Sequence, residues 1–117
     1  MGLNPLAGLD ARLRPAAAFA LNWARKNGVQ VIVTSVRRDR KKQLRLYQRF
    51  VRGESRFPAA PPGTSAHEYG LAWDSFVSDE LVPWWTAVRQ AVGFQVPSND
   101  WVHAQAPNWE TLIQRRR

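Results

Sequence analysis

Cysteine is absent from this sequence of 117 residues. Its absence excludes disulfide frameworks, cysteine-based zinc ribbons and thiol nucleophiles. Long apolar runs are also missing, since no window approaches the roughly 20 apolar residues that a membrane-spanning helix needs. Near the N-terminus, Asn22 and Arg25 interrupt the apolar segment that a signal peptide would require. We therefore expect a chain with no membrane span and no signal peptide, made in the cytoplasm.

Length and charge narrow the class of protein further. A chain of this size fits one domain, here residues 1–117, and can bury a core without disulfides. The net charge of +8 predicts attraction to a polyanion, such as nucleic acid, an anionic cell envelope or a membrane surface. The six tryptophans supply large apolar areas for a core or for the lining of a site.

Hydrophobic periodicity and turn residues predict alternating helices and strands. Helices are predicted over residues 14–27, 39–52 and 79–92, with a last short helix from about residue 108. Strands are predicted over residues 29–36, 70–77 and 94–96, and at the end of residues 98–105. The first of these is β-branched throughout and is expected to be buried. Residues 53–65 contain three prolines and two glycines, which predicts an irregular loop.

The second predicted helix has an unusual apolar face. Gln43, Leu46, Tyr47 and Phe50 fall at positions i, i+3, i+4 and i+7, which places them on one side of a helix. Lysines and arginines occupy the opposite side. Because glutamine is rarely buried without a partner, we expect Gln43 to make a specific hydrogen bond.

Two histidines and two aspartates form a candidate metal site. Asp74 follows His67 by seven positions, and Asp100 precedes His103 by three. Two imidazoles and one carboxylate are a common catalytic zinc set, and a further carboxylate can take a proton from the zinc-activated water. Asp74 lies within the apolar segment LAWDSF, where a buried carboxylate needs a metal, an arginine or N–H donors. The alternative is an outward-facing aspartate on a half-exposed strand.

The segment HEYGL begins like a different zinc motif, H-E-x-x-H. That motif needs a second histidine one helical turn after the first, and position 71 is leucine. Gly70 and the apolar run after it also argue against a helix at this point. Glu68 is therefore not expected to act as the base of that type of protease.

Three short motifs occur in a particular order along the chain. They are S-x-x-R-x4-Q, formed by Ser35, Arg38 and Gln43; S-x-H-x6-D, formed by Ser65, His67 and Asp74; and D-x-x-H, formed by Asp100 and His103. This order resembles the zinc D-Ala-D-Ala carboxypeptidases and L-Ala-D-Glu endopeptidases, the M15 or VanY-like peptidases, which include phage endolysins. The resemblance covers roughly residues 13–105.

The resemblance implies a fold and a metal centre. The fold would be α+β, with about three helices packed against a small, mostly antiparallel sheet, as in Hedgehog and DD-peptidase domains. His67, Asp74 and His103 would hold Zn²⁺. Asp100 would be the general base, and would pass its proton to the leaving amine.

The resemblance also implies residues that contact the substrate or support the metal centre. Arg38 would polarise the scissile carbonyl or bind a substrate carboxylate. Gln43, Ser65 and Ser35 would contact substrate or orient the metal ligands. The substrate would be a peptidoglycan stem peptide, cut by a monomeric enzyme of phage-lysin type that acts on the cell wall after release. The basic helix would contact the anionic envelope.

Two other functions are compatible with the residues. The lysines and arginines between positions 37 and 52, with aromatic residues among them, are also typical of a nucleic-acid-binding module. However, the aromatic residues lie on the face opposite to most of the charge and are expected to be part of the core, so no nucleic acid is expected as a partner. A relative that binds zinc or stem peptide without turnover is the other alternative, and the presence of Asp100 argues against it.

Overall fold

Helices and short strands alternate along the chain, and a computed structural model describes residues 5–114. The elements are α1 (Arg14–Lys26), β1 (Ile32–Ser35), α2 (Arg40–Val51), β2 (Ala72–Phe76), α3 (Val82–Ala91), β3 (His103–Gln105) and α4 (Trp109–Gln114). Two 3-10 helices cover Ala66–Tyr69 and Asp79–Leu81. The basic tail at residues 115–117 lies outside the described residues. None of the helices described between residues 5 and 114 combines the length and the apolar character of a membrane span.

The strands form one antiparallel sheet in the order β1-β2-β3, which confirms the predicted α+β class. β2 is central, with Ser35 opposite Asp74 on one side and His103 opposite Asp74 on the other. The register between β1 and β2 shifts between Val33 and Ser35, and such a bulge changes the direction in which the following side chain points.

The strands are shorter than predicted, and the expectation for the first one is wrong. β1 is an edge strand with alternating exposure, and Ile32 is 56% exposed. Its β-branched sequence suits a half-buried edge as well as a buried strand, so composition alone does not distinguish the two. Residues 94–96 contribute a single bridge, between Gln95 and Gln105, rather than a strand.

The main core lies between the sheet, α1 and α3. Trp73 on β2 packs edge-to-face against Trp85 on α3, with ring centroids 6.0 Å apart, and against Phe94, at 5.6 Å. α1 turns its small buried residues, Ala17, Ala20 and Ala24, toward this cluster. Small side chains allow α1 to approach the large aromatic rings closely, and the result is a rigid support beneath β2.

α2 is amphipathic as predicted, but its apolar face is only partly covered. Asp39 caps its start, accepting a hydrogen bond from the backbone N–H of Lys42 at 2.8 Å. Gln43 is fully buried, as expected, whereas Phe50 is 38% exposed. The prediction that the aromatic side of this helix is core is therefore wrong at Phe50.

The segment SAHEYG forms one 3-10 turn, where the sequence indicated no helix. Ser65 caps this turn and Glu68 closes it, because the Glu68 carboxylate accepts the backbone N–H of Ser65. Gly70 ends the turn with φ of +71°, and a Cβ at that position would lie 2.8 Å from the carbonyl oxygen of Gly8. Only glycine fits both conditions, so the turn ends where β2 can begin.

Candidate metal centre

Three different elements bring His67, Asp74 and His103 together. His67 lies on the 3-10 turn, Asp74 lies on β2, and His103 is the first residue of β3, directly across from Asp74. Their ligand atoms all lie within 4.8 Å of one another. The structure thus assembles the three residues to which the sequence assigned the metal.

Hydrogen bonds at the far side of each ring determine which nitrogen faces the centre. Nδ1 of His67 lies 2.7 Å from the carbonyl oxygen of Val36, which can only accept, so Nδ1 carries the proton. Nε2 of His103 lies 2.8 Å from Oε1 of Gln105, which assigns its proton in the same way. In the neutral rings, Nε2 of His67 and Nδ1 of His103 therefore present lone pairs to Asp74.

Three hydrogen-bond acceptors converge at this centre, and such an arrangement is suited to binding a cation. Nε2 of His67 lies 2.9 Å from Oδ1 of Asp74 and 3.1 Å from Nδ1 of His103, and that Nδ1 lies 3.3 Å from the same oxygen. Three acceptors at such distances repel one another unless a proton or a cation lies between them. Two imidazole nitrogens and one carboxylate oxygen form a ligand set used by catalytic zinc sites.

The pKa values of the three residues agree with this interpretation. Burial lowers the pKa of His67, which favours the neutral, ligating form. Burial alone would raise the pKa of Asp74, but its interactions with His103 and His67 outweigh the effect of burial and hold that pKa well below its usual range. Burial opposes charge on His103 too, yet hydrogen bonding to Asp74 raises its pKa. Without a metal, a proton on His103 thus compensates the aspartate charge.

Asp100 lies in the turn that leads into β3. Its carbonyl oxygen accepts the backbone N–H of His103 at 3.1 Å, and its side chain lines the same cleft as the three ligands. Burial raises the pKa of Asp100 to about 6, against the opposing charges of His103 and Arg38. A carboxyl group with such a pKa can exchange a proton near neutral pH, as a general base must.

Arg38 is held in a buried network next to Asp74. Its Nη2 donates to Oδ2 of Asp74 at 3.3 Å and to Oγ of Ser35 at 3.0 Å, while Nη1 donates to Oε1 of Gln43 at 2.8 Å. Gln43 in turn donates to the carbonyl oxygen of Ala60 at 2.8 Å. The expected partner of the buried glutamine is therefore Arg38, and the network ties α2, β1 and the 53–65 loop to the metal ligand.

Ser65 and Glu68 organise the turn that carries His67. Oγ of Ser65 accepts the backbone N–H of His67 at 3.3 Å. Glu68 accepts the backbone N–H of Gly63 at 2.8 Å, and its carboxylate pairs with Arg40. From the sequence, Glu68 was considered only as the base of an H-E-x-x-H protease, and that role was excluded. Its spacing of three residues from Ser65, that of a capping box, is the signal that identifies its structural role.

Arg89 is a supporting residue that sequence reasoning missed. It is fully buried on α3, and it donates to the carbonyl oxygen of Trp101 at 2.6 Å and to that of Val102 at 3.3 Å. These carbonyls directly precede His103. The position of Arg89 one turn after Trp85, on the apolar side of the helix, could have indicated a buried guanidinium.

The metal centre lies in a cleft of about 530 Å³. One wall is the segment from Phe57 to Ala60, and another is formed by Trp109 and Glu110 at the start of α4. Pro58, Ala59 and Ala60 have short or ring-constrained side chains, which leaves free volume in the cleft beside the ligands. Part of the irregular loop predicted over residues 53–65 thus lines the cleft.

Solved structures share the fold of this chain. VanYB in complex with D-alanine-D-alanine aligns with a TM-score of 0.70 and 23% identity, over 91% of this chain and 75% of that one. The LD-carboxypeptidase LdcB gives 0.68 and 20% identity, over 94% and 71%. The vancomycin-resistance D,D-pentapeptidase VanY in complex with Zn(II) gives 0.66 and 24% identity, over 91% and 76%.

Sequence comparison identifies the family. No curated protein matches the chain significantly. A family model does match it: VanY, D-alanyl-D-alanine carboxypeptidase, aligns with residues 8–114. This range includes every predicted site residue and almost all of the fold. The chain therefore belongs to the VanY family of D-alanyl-D-alanine carboxypeptidases, as the order of its three motifs predicted.

Proposed function

We propose that this protein is a zinc-dependent D,D-carboxypeptidase that removes the terminal D-alanine from peptidoglycan stem peptides. The observation that carries the proposal is the convergence of His67, Asp74 and His103 in a cleft that also contains the Asp100 carboxyl. Membership of the D-alanyl-D-alanine carboxypeptidase family supports the choice of substrate. The solved complex of VanYB with D-alanine-D-alanine supports it further, since that protein has the same fold.

The residues that would hold zinc are His67 through Nε2, His103 through Nδ1 and Asp74 through Oδ1. When bound, a zinc ion in such a site supplies a Lewis acid and lowers the pKa of water to about 7. Arg38 keeps the other oxygen of Asp74 occupied, so that Oδ1 stays directed at the two histidines. The protein contributes a fixed set of three ligands and leaves the cleft side of the centre for water and substrate.

Asp100 is positioned to carry the proton in this reaction. Its carboxylate takes a proton from the attacking water, and the resulting carboxylic acid gives that proton to the amine that leaves when the C–N bond breaks. The raised pKa of about 6 suits both steps, because the group is ionised at neutral pH and is still basic enough to accept a proton. Products are a shortened stem peptide and free D-alanine.

Arg38 also lines the cleft, and its Nε is buried without a hydrogen-bond partner among residues 5–114. The side chain of Arg38 is 8% exposed, and an acceptor on the substrate could reach it from the cleft at this exposed part and not at the buried Nε. This observation supports the predicted role of Arg38 in polarising the scissile carbonyl or binding a substrate carboxylate.

The test is product analysis with defined muropeptides. Zinc-loaded protein is incubated with a stem pentapeptide that ends in D-Ala-D-Ala, and the products are identified by mass spectrometry with and without a chelator. We expect release of D-alanine that stops when zinc is removed. Asp100→Asn should abolish turnover while zinc still binds, whereas the same change at the exposed Asp79, which lies outside the cleft, should leave turnover close to that of the parent.

The products of the same experiment also distinguish the carboxypeptidase from the other two activities expected from the sequence, those of an endopeptidase and of a non-catalytic relative. Cleavage between L-alanine and D-glutamate releases a peptide with a new D-glutamate N-terminus and no free D-alanine. That product would replace the carboxypeptidase proposal with the endopeptidase of a phage-type lysin. Zinc binding with no product from any stem peptide would support the alternative hypothesis that the protein is a non-catalytic relative.

A further inference from the structure

α2 carries apolar side chains that the rest of the domain leaves exposed to solvent. Leu44 is 42% exposed, Phe50 is 38% exposed and Val51 is 62% exposed. Leu44 and Val51 are seven residues apart, so they lie on the same side of the helix. That side adjoins the face that packs on the domain through Gln43. The apolar surface of α2 is thus wider than the part that the domain covers.

Basic side chains border this apolar stripe. The segment from Arg40 to Arg52 contains no aspartate or glutamate. Its exposed basic residues without a carboxylate partner in the described part of the chain are Lys41, Lys42, Arg45 and Arg49. Lys41 and Arg45 lie one turn apart on the side of the helix next to Leu44. The outward side of α2 is therefore both apolar and strongly positive.

We propose that α2 docks on the surface of an anionic phospholipid bilayer. The basic side chains would contact lipid phosphates, and Leu44 and Val51 would enter the boundary between headgroups and acyl chains. An interfacial helix needs both features: an apolar face to insert and Lys or Arg to attract anionic lipid. A soluble polyanion such as nucleic acid is bound through charge, and the exposed Leu44 and Val51 would gain nothing from it.

The inward side of the same helix reaches the catalytic cleft. Gln43 and Leu46 line the cleft, while Leu44 lies on the next position around the helix and faces solvent. A bilayer bound to the outward side would hold the cleft next to the lipid surface. The proposal goes beyond the catalytic function and does not depend on it, because its test measures binding and not turnover.

The test is co-sedimentation with vesicles of phosphatidylcholine alone or mixed with phosphatidylglycerol. We expect binding only to the mixed vesicles, with an affinity that falls as salt is added. Arg45→Gln with Arg49→Gln should weaken binding about 25-fold, since each basic residue near an anionic surface contributes about fivefold. Leu44→Ser with Val51→Ser should weaken it about tenfold, because the inserted apolar area is lost.

Matched substitutions on α1 serve as controls. Phe19 is 61% exposed, so Phe19→Ser removes a comparable apolar side chain at another site. Arg25→Gln with Lys26→Gln removes two exposed charges from the end of α1. Both controls should bind vesicles like the parent, and circular dichroism should show all variants folded.

Three results would overturn the proposal. They are no binding to phosphatidylglycerol vesicles at low salt, unchanged binding after Leu44→Ser with Val51→Ser, or equal weakening by the α1 controls. Unchanged vesicle binding in the apolar variant, together with binding to DNA that depends on Arg45 and Arg49, would assign α2 to a soluble polyanion instead.

Discussion

The guanidinium of Arg38 lies behind the carboxylate of Asp74, with Nη2 3.3 Å from Oδ2, while Oδ1 of the same carboxylate faces the two histidines. One carboxylate thus joins a buried cation to the metal centre. The arrangement fixes the direction of the ligand oxygen before a metal arrives, because rotation of the carboxylate would break the contact with Arg38.

Arg38→Ala is expected to weaken zinc binding about tenfold to a hundredfold, the usual effect of removing a partner that orients a metal ligand. Without Arg38, Asp74 loses its second contact, and Gln43 loses its donor. Zinc affinity can be measured by competition with a chromophoric chelator. Arg37→Ala is the matched control, since Arg37 is exposed and adjacent. Equal effects of the two substitutions would contradict the orienting role of Arg38.

The raised pKa of Asp100 predicts an acid limit to activity. The base must be ionised, so kcat/KM should fall about tenfold per pH unit below the pKa of Asp100, which is about 6 before metal binds. A bound cation stabilises the carboxylate and shifts the limit to lower pH. We therefore expect the limit at or below about pH 6 in the zinc-loaded enzyme.

pH–rate profiles of the parent and of Asp100→Glu check this expectation. Asp100→Glu keeps an ionisable base, and should show a lower rate with an acid limit still present. Zinc occupancy is measured at each pH, so that loss of metal is distinguished from protonation of the base. An acid limit that follows zinc occupancy alone would show that Asp100 does not set it.

Gln43→Leu is expected to lower the free energy of unfolding by about 1–3 kcal/mol, because Arg38 loses an acceptor and the carbonyl oxygen of Ala60 loses its donor. Urea unfolding measures the change. Gln48→Leu makes the same substitution at an exposed position of α2 and should change stability little. If both variants unfold alike, the buried network does not stabilise the domain.

The site could be predicted further than the packing could. The resemblance of the chain's three ordered motifs to a known zinc peptidase family implied that His67, Asp74 and His103 converge, and the structure brings them together. The exposure of Ile32 could not be predicted from the sequence, because a β-branched strand has the same composition at the edge of a sheet as in its centre. Burial depends on the neighbours that the chain folds onto, and a single sequence records these only indirectly.

Arg89 illustrates the same limit, and it leads to a test. Arg89→Met keeps the length and the apolar part of the side chain, but removes donors to the carbonyl oxygens of Trp101 and Val102. We expect the free energy of unfolding to fall by about 2–4 kcal/mol, since hydrogen bonds from a charged donor are lost in a buried site. The exposed Arg25 provides the control, Arg25→Met, which should unfold like the parent in urea.

Gly70 allows the cost of a backbone conformation to be separated from the cost of a clash. Gly70 and Gly28 have similar positive φ values of 71° and 73°, but a Cβ on Gly70 would lie 2.8 Å from the carbonyl oxygen of Gly8, whereas a Cβ on Gly28 meets nothing within 4 Å. Gly28→Ala should therefore lower the free energy of unfolding by about 1–2 kcal/mol, the penalty for a left-handed conformation alone.

Gly70→Ala should lower the free energy of unfolding further, by about 3 kcal/mol or more, because the backbone of Gly8 must also move. The extra loss should be accompanied by weaker zinc binding, since Gly70 ends the turn that carries His67. Equal losses of stability in the two variants, measured by urea unfolding, would show that the backbone around Gly8 shifts without any further loss of folding free energy.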